Sequence, residues 1–402
     1  MKILLVNKFL YPKGGTETYL FRLGDLLKRQ GHQVEYFGMA DQRNLVGNFA
    51  EEEVSAIDFS TGIRKNWSAP LRVIYCREAR RKLYRVLETF QPDVVHFNNI
   101  QYHLTPSVLL AVRDYRRKYS ASLRVLSTAH DYQLICPNHS LLDSKGECCE
   151  RCLNHSPVHC LRRKCVKNSY LKSLLAVIDA VVWKHSKAYD ELDYIICPSE
   201  FMKNKLECDK RFRGKCIVLH NFIEKETDQP IEKEDYVLEF GHLSEEKGTL
   251  TVLEAAKMLP DIPFVFAGFG PAEVEIDKVN NAKFVGFLSG KELENLIRKA
   301  RMTLVPSLWY ENCPYSILES QMLGTVVVGS RMGGIPELLR YGEGGLLFEA
   351  RNADDLAEKI EHLWKDEDLQ KRLIAKGRIP LESAESYYNS LIKLYGGQHE
   401  ML

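Results

Sequence analysis

Short apolar strands alternating with amphipathic helices, through two successive halves of the sequence, constrain this chain more than any other feature. In the first half, compact Val-, Ile- and Leu-rich runs occupy 2–7, 33–37, 93–97, 123–128, 194–198 and 216–220. Continuous apolar runs of this kind are what parallel strands buried on both faces require. Helical patterns lie between them at 16–30, ending at Gly31, and at 71–90, ending before Pro92. In the second half, strands are expected at 236–240, 262–267, 282–285, 302–305 and 325–329. Helices are expected there at 248–258, 290–300, 314–323, 335–341 and 353–364. The alternation predicts doubly wound parallel sheets, and 402 residues are too many for one core, so two Rossmann-like α/β domains are expected. The charged stretch from Glu224 to Asp235, interrupted by Pro230, reads as their connection, with domains at 1–225 and 226–379.

No apolar run approaches the roughly 20 residues of a membrane-spanning helix. The segment Met1–Asn7 reads as a buried strand and not as a secretory signal, so a cytoplasmic protein is expected. Charge is uneven: residues 1–225 hold 36 Lys+Arg against 24 Asp+Glu, a balance of +12, and the remainder holds 19 against 30, a balance of −11. A basic half facing an anionic partner is one reading, and opposite charges that help two domains meet is the other. Residues 64–85 interleave Arg64, Lys65, Arg72, Arg77, Arg80, Arg81, Lys82 and Arg85 with Trp67, Leu71, Val73, Ile74, Tyr75 and Leu83. Such a helix either lies on an anionic membrane at the inner face or is an ordinary solvated face; Arg162-Arg163-Lys164 and Lys167 form a second basic patch.

Four segments carry candidate chemistry. Gly14-Gly15 sits where the first strand turns into a helix, a place where backbone approaches a ligand and amides face an anion, although a plain tight turn fits equally. Lys247 lies near the helix start in Phe240-Gly241-His242-Leu243-Ser244-Glu245-Glu246-Lys247-Gly248, placed either to neutralise a phosphate or to be solvated. The segment from Pro306 to Glu319 leaves a strand and enters a helix at about Pro314, with Glu311 before the helix and Glu319 inside it. Asn312, Cys313, Tyr315 and Ser316 frame that helix start, whose amides suit a diphosphate. Ser330-Arg331-Met332-Gly333-Gly334-Ile335-Pro336-Glu337 adds another Gly-Gly turn with Pro early in its helix.

Glu311-x7-Glu319, the preceding Pro-Ser, the following Gly-Gly-Ile-Pro-Glu and the early Gly14-Gly15 together resemble glycosyltransferase family 4 along essentially the whole chain. The resemblance implies a GT-B fold, with two Rossmann-like domains facing a cleft and a last helix, 380–402, crossing back to the N-terminal domain. It implies a retaining transferase that moves a sugar from a UDP- or GDP-linked donor to a glycan or lipid-linked acceptor in polysaccharide or glycolipid synthesis. Glu311 would bind sugar hydroxyls and Glu319 the ribose, while Gly14, Gly15 and Lys247 meet the diphosphate. Gly286-Phe287-Leu288 resembles the segment that holds the base, and His130 matches the histidine near the transferred sugar. Protein cations would stand in place of a divalent metal, and no nucleic acid is expected as a partner. One departure is His242, where the family commonly has arginine; histidine is a weaker grip on phosphate, which puts donor affinity in question.

Eleven cysteines occur, six of them between Cys136 and Cys165. Cys149-x2-Cys152-x7-Cys160-x4-Cys165 reads either as a structural zinc knuckle or as a cluster of reduced thiols. Three rival functions remain at this level: a sugar-nucleotide 2-epimerase, a nucleic-acid or membrane-binding module, and a donor-binding but inactive scaffold.

Overall fold

The computed structural model describes residues 1–56, 69–119, 122–153, 155–224 and 232–397. Arg64, Lys65, Trp67 and residues 225–231 of the expected connection lie outside the described residues. The elements begin β1 (Lys2–Val6), α1 (Gly15–Arg29), β2 (Gln33–Phe37), α2 (Ala69–Ile74), α3 (Arg77–Phe90) and β3 (Val94–Phe97). They continue α4 (Ser107–Tyr119), β4 (Arg124–Thr128), α5 (Val158–Arg162), α6 (Tyr170–His185), β5 (Tyr194–Cys197), α7 (Glu200–Leu206) and β6 (Cys216–Val218). Next come β7 (Glu234–His242), α8 (Thr249–Met258), β8 (Phe264–Phe269), α9 (Glu273–Ile276), β9 (Ala282–Phe284), α10 (Gly290–Lys299) and β10 (Ala300–Val305). The series ends α11 (Tyr315–Met322), β11 (Val326–Ser330), α12 (Ile335–Leu338), β12 (Leu346–Phe348), α13 (Ala353–Lys365), α14 (Glu367–Gly377) and α15 (Ala384–Tyr395).

Two compact units result. One holds Met1–Pro198, Met202–Leu219 and the chain from Glu385 on, and the other holds Ser199–Phe201 and His220–Ala384. The first contains a six-stranded sheet in the order β2-β1-β3-β4-β5-β6, and the second a six-stranded sheet ordered β12-β11-β10-β7-β8-β9. Every strand pair in both sheets is parallel. The apolar runs follow from burial on both faces. Along β11, Val326 and Val328 join one core cluster while Val327 joins another. Along β7, Val237 faces the first cluster and Tyr236 and Leu238 a third.

The structure adds helices α4, α5, α6, α7, α9 and α14 and strand β12 to those expected from the pattern. It also divides the helix expected at 71–90. Cys76 sits with extended backbone (φ −94°, ψ 95°), and its Sγ accepts the Ala79 N–H, so a helix ends at Ile74 and a new one starts at Arg77. Among the described residues no helix is long and apolar enough to cross a membrane.

The last helix belongs to the first unit because one face of it is apolar at helical spacing: Tyr387, Leu391, Leu394 and Tyr395 are all buried. A buried polar chain anchors that face. Tyr395 Oη lies 2.8 Å from His96 Nδ1, His96 Nε2 lies 2.7 Å from Thr128 Oγ1, and Thr128 Oγ1 lies 3.0 Å from Tyr19 Oη. Tyr19 Oη in turn meets Tyr387 Oη at 2.5 Å. The chain ties β3, β4, α1 and α15 into one body.

Burial, reinforced by nearby His130, pushes the His96 pKa down to about 3, so the folded ring is neutral. An unfolded chain takes up a proton near pH 6.5, which makes the unfolded state the better proton binder between about pH 3 and 6.5. The His96 contribution to stability is therefore complete above about pH 6.5 and is lost as pH falls toward 3. His96→Gln is expected to unfold with a melting temperature that depends less on pH than that of the wild type between about pH 7 and 5. Thermal denaturation across that window checks this; parallel pH profiles for the two proteins would rule it out.

Candidate functional site

In the second unit the strands read from β9 run 3-2-1-4-5-6, the dinucleotide-fold order, whose switch point lies between β7 and β10. Ligands of such sheets bind beyond the carboxyl ends of the strands at that crevice. The loop after β7 carries Lys247, and the loop after β10 carries Glu311. The structure brings these two together, with Lys247 Nζ 2.5 Å from Glu311 Oε1. Ser307 Oγ and Trp309 Nε1 donate to the same oxygen at 2.7 Å each, and Lys247 Nζ stands 4.8 Å over the Trp309 ring. Glu311 is buried. Burial alone raises a carboxyl pKa, but the Lys247 charge and the three hydrogen bonds outweigh it and hold Glu311 below its ordinary value.

Close backbone approach fixes both loops. Gly248 opens α8 at φ +87°, and a Cβ there would lie 2.0 Å from the Pro306 carbonyl oxygen. Gly333, at φ +59°, faces the Glu311 backbone with 2.1 Å from an ideal Cβ to Glu311 O. Only glycine satisfies both the left-handed turn and the space. The Gly334 N–H donates to Glu311 O at 2.7 Å, and Ser330 Oγ donates to Ser307 O at 2.7 Å. The second Gly-Gly turn is thus the support on which Glu311 rests.

Beyond that loop, Pro314 precedes α11, whose first turn holds Tyr315 and Ser316 and whose second holds half-buried Glu319. Asn221 Nδ2 donates to Cys313 O at 3.0 Å and so steadies the helix entry beside Asn312. At the far ends of β7 and β8, the rings of His242 and Phe269 meet edge to face at 5.2 Å, and Phe269 meets Phe287 at 5.9 Å. Phe269 and Phe287 are 50% and 66% exposed, an aromatic surface open to solvent. Gly286 turns the chain at φ +81° into Phe287, and Leu288 packs beneath. Sequence reasoning missed Ser307, Trp309 and Phe269. The first two lie in the same loop as Glu311, and a polar residue two or four positions from a buried carboxylate was the available signal.

In the first unit the order β2-β1-β3 places a switch point between β1 and β3. Asn7, just past β1, donates through Nδ2 to Glu17 Oε1 at 3.0 Å, and its Oδ1 accepts the Asn99 N–H at 2.9 Å. Gly14 and Gly15 open α1 at this edge and are exposed, with Gly14 in extended backbone. Burial pushes the His130 pKa down to about 4, so its neutral ring donates from Nε2 to Asn98 Oδ1 at 2.9 Å. Its ring also meets Tyr19 edge to face at 5.0 Å. Asn98, Gln101, Thr128 and His130 share a small cavity.

Among the described residues, no three His, Cys, Asp or Glu side chains, those of Cys149, Cys152, Cys160 and Cys165 included, are grouped as a metal ion would need. The reason is local. Helix α5 ends in a Schellman turn: the Cys165 N–H donates to Cys160 O at 3.1 Å, with Lys164 left-handed at φ +50°. That turn presses the side chains of Cys160 and Cys165 together as its apolar contact. Both are buried with Val177, Cys152 packs against them, and Cys149 is half-buried. The only Asp-x-Asp in the sequence, Asp366-Glu367-Asp368, is a helix start, where Asp366 Oδ1 accepts the Leu369 N–H.

A family model described as "Glycosyltransferase Family 4" matches residues 13–227, and one described as "Glycosyl transferases group 1" matches residues 221–379. The chain is 31% identical over 192 residues to an uncharacterised glycosyltransferase of Methanocaldococcus jannaschii. That match covers 46% of this chain and 54% of the relative, about half its length. Among solved structures, sucrose-phosphate synthase from Thermosynechococcus elongatus is similar with a TM-score of 0.72 at 16% identity, over 100% of both chains. Anabaena HepE in complex with UDP is similar with a TM-score of 0.68 at 16% identity, over 99% of this chain and 100% of that one. At such identities the likeness shows the fold, the GT-B architecture.

Removing Lys247 leaves a buried carboxylate with two neutral donors only. Lys247→Met is expected to cost about 1–2 kcal/mol, and Glu311→Gln beside it to recover most of that loss. Urea denaturation of the four proteins in the cycle measures the coupling; strictly additive effects would show that the pair does not interact.

Proposed function

Because the chain belongs to Glycosyltransferase Family 4, we propose that it moves a sugar from a nucleotide-diphosphate sugar, UDP- or GDP-linked, to a hydroxyl of a glycan or lipid-linked acceptor. The observation that carries this reading is the Lys247–Glu311 pair at the switch point of the second sheet. An ammonium and a carboxylate side by side match the two ends of such a donor, the diphosphate and the sugar hydroxyls. With the donor bound, Lys247 turns to the phosphates and Glu311 accepts from the sugar. Each group then exchanges one charged partner for another, which limits the cost of separating them.

The remaining groups divide the donor between them. The N-terminus of α11 with Tyr315 and Ser316 receives the diphosphate charge, and Glu319 accepts from the ribose diol. The aromatic surface of Phe269 and Phe287, with His242 at its edge, takes the base and the adjoining phosphate. The UDP carried by the similar HepE structure supports a nucleotide donor. Catalysis is retaining: the acceptor oxygen enters on the face the nucleotide leaves, through an oxocarbenium-like state, with no protein nucleophile. The developing diphosphate charge is met by Lys247, His242 and helix amides in place of a divalent metal. His130, neutral through burial, acts near the sugar as a hydrogen-bonding group and not as a cation. In the first unit, the exposed backbone of Gly14-Gly15 at the start of α1 is suited to an anion. The product serves cell-surface polysaccharide or glycolipid synthesis, at the cytoplasmic face of a membrane where the acceptor is lipid-linked.

Thermal unfolding against UDP-, GDP-, ADP- and TDP-sugars tests the donor site. A bound donor at about ten- to a hundredfold its dissociation constant adds roughly 1.4–2.7 kcal/mol. One nucleotide series is expected to raise the melting temperature, and Glu319→Ala to abolish the rise. Indifference of the protein to every nucleotide would overturn the reading. Binding without turnover, relieved by His242→Arg, would mark a disabled transferase, and conversion of donor without acceptor would mark an epimerase.

A further inference from the structure

The sixteen residues of α6 have two apolar faces, and the described residues cover only one. Ser173, Ala176, Val177 and Trp183 are buried, with the Trp183 ring stacked on Tyr75 at 5.9 Å and its Nε1 donating to Ile74 O at 3.0 Å. The opposite face exposes Tyr170, Leu171, Leu174, Ile178, Val181 and Val182, each between 37% and 59%. At about 100° per residue these six fall within an arc of about 120°, a continuous stripe roughly 17 Å long. An ordinary surface helix turns charged residues outward, so an uninterrupted apolar stripe signals something that covers it.

The surroundings of the stripe identify its cover. Between Arg151 and Lys187 the sequence holds eight Lys and Arg residues and one acid, Asp179. Asp179 lies on the inner side, lining a cavity with Trp183. Lys172 and Lys184 are both exposed and lie on the flanks of the helix beyond the two edges of the stripe, Lys184 beside the cavity that Asp179 lines. Lys164 Nζ stands 4.4 Å over the ring of Tyr170 at the start of the helix. Lys167, Lys172 and Lys187 are exposed and pair with no carboxylate among the described residues. In α3 and the residues before it more of the cations are paired: Arg72 with Glu78 at 2.8 Å, Lys82 with Glu78 at 3.1 Å and Arg85 with Glu52 at 2.8 Å, while Arg77 and Arg81 are exposed.

We propose that α6 is a membrane-docking helix, lying in the plane of an anionic bilayer with its exposed apolar stripe among the acyl chains and its lysine collar on the lipid phosphates. A convex apolar stripe with cations along both sides and a tyrosine at one end matches the boundary between acyl chains and headgroups. A second copy of this chain fits poorly, since pairing the stripes would set one basic collar against another. Nucleic acid would leave the stripe in water. The proposal goes beyond the transferase reading and stands on α6 alone, so it holds or fails whether or not the donor site is active.

Cosedimentation of the full chain, without nucleotide, with vesicles of phosphatidylcholine alone or mixed with phosphatidylglycerol tests it. The protein is expected to partition at least about tenfold more strongly onto the mixed vesicles, a difference of about 1.4 kcal/mol, and to lose that preference in high salt. Ile178→Glu combined with Val182→Glu is expected to lower partitioning at least about tenfold with the melting temperature unchanged, because both sites are exposed. Lys172→Glu with Lys184→Glu should remove the preference for anionic lipid. The proposal is overturned if the wild type ignores both vesicles or if the Ile178/Val182 variant partitions like the wild type. It is equally overturned if light scattering finds a dimer that this variant splits, which would assign the stripe to a contact between copies.

Discussion

The second unit is organised around one buried carboxylate. Taking Glu311 out of water costs several kcal/mol unless its charge is matched, and the protein matches it with an ammonium, a hydroxyl and an indole N–H on a single oxygen. Those donors come from two loops that must run against each other at backbone distance. Gly248 against Pro306 and Gly333 against Glu311 make that approach sterically feasible, so the glycines and the carboxylate form one device. A motif that looks in sequence like scattered Gly-Gly and Glu-x7-Glu signals is one connected support when folded.

The same physics explains what the sequence made legible. Parallel strands buried on both faces need unbroken apolar runs, and those runs placed β1 to β11 within two residues of where they lie. Strand β12, a three-residue strand directly after Gly344-Gly345, was not among the runs read. Helices were readable where one face is buried and the other polar, as in α1 or α13. Helix α6 lacks that contrast because its second apolar face is exposed, so its periodicity is masked by the very feature that gives it an inference. The break at Cys76 depends on a thiol capping a helix, a choice that propensity does not foresee.

Within the site, residue identities were legible and their partners were not. Lys247 and Glu311 stood out by motif, yet only the fold shows that they face each other. The cysteine spacing left a chelate and a cluster of reduced thiols both open, and the fold makes its last pair the apolar contact of a helix end. Spacing alone cannot separate these outcomes, because a Schellman turn and a metal knuckle both bring together residues a few positions apart.

The charge asymmetry of the sequence takes on a definite place in this structure. Of the +12 carried by residues 1–225, the stretch 151–187 alone supplies +7. The basic residues of the region first noticed, where described, are largely drawn into pairs: Arg72 and Lys82 with Glu78, Arg80 with Asp114, and Arg85 with Glu52. Exposed ion pairs of this kind contribute little to stability, but they cancel the field that a distant anion would feel. A net positive charge that serves recognition has to remain uncompensated, and around α6 Lys167, Lys172 and Lys187 remain so, although Arg163 is paired with Asp143. Apolar exposure coincides with that uncompensated charge on one helix, and a single anionic, apolar-cored partner accounts for both.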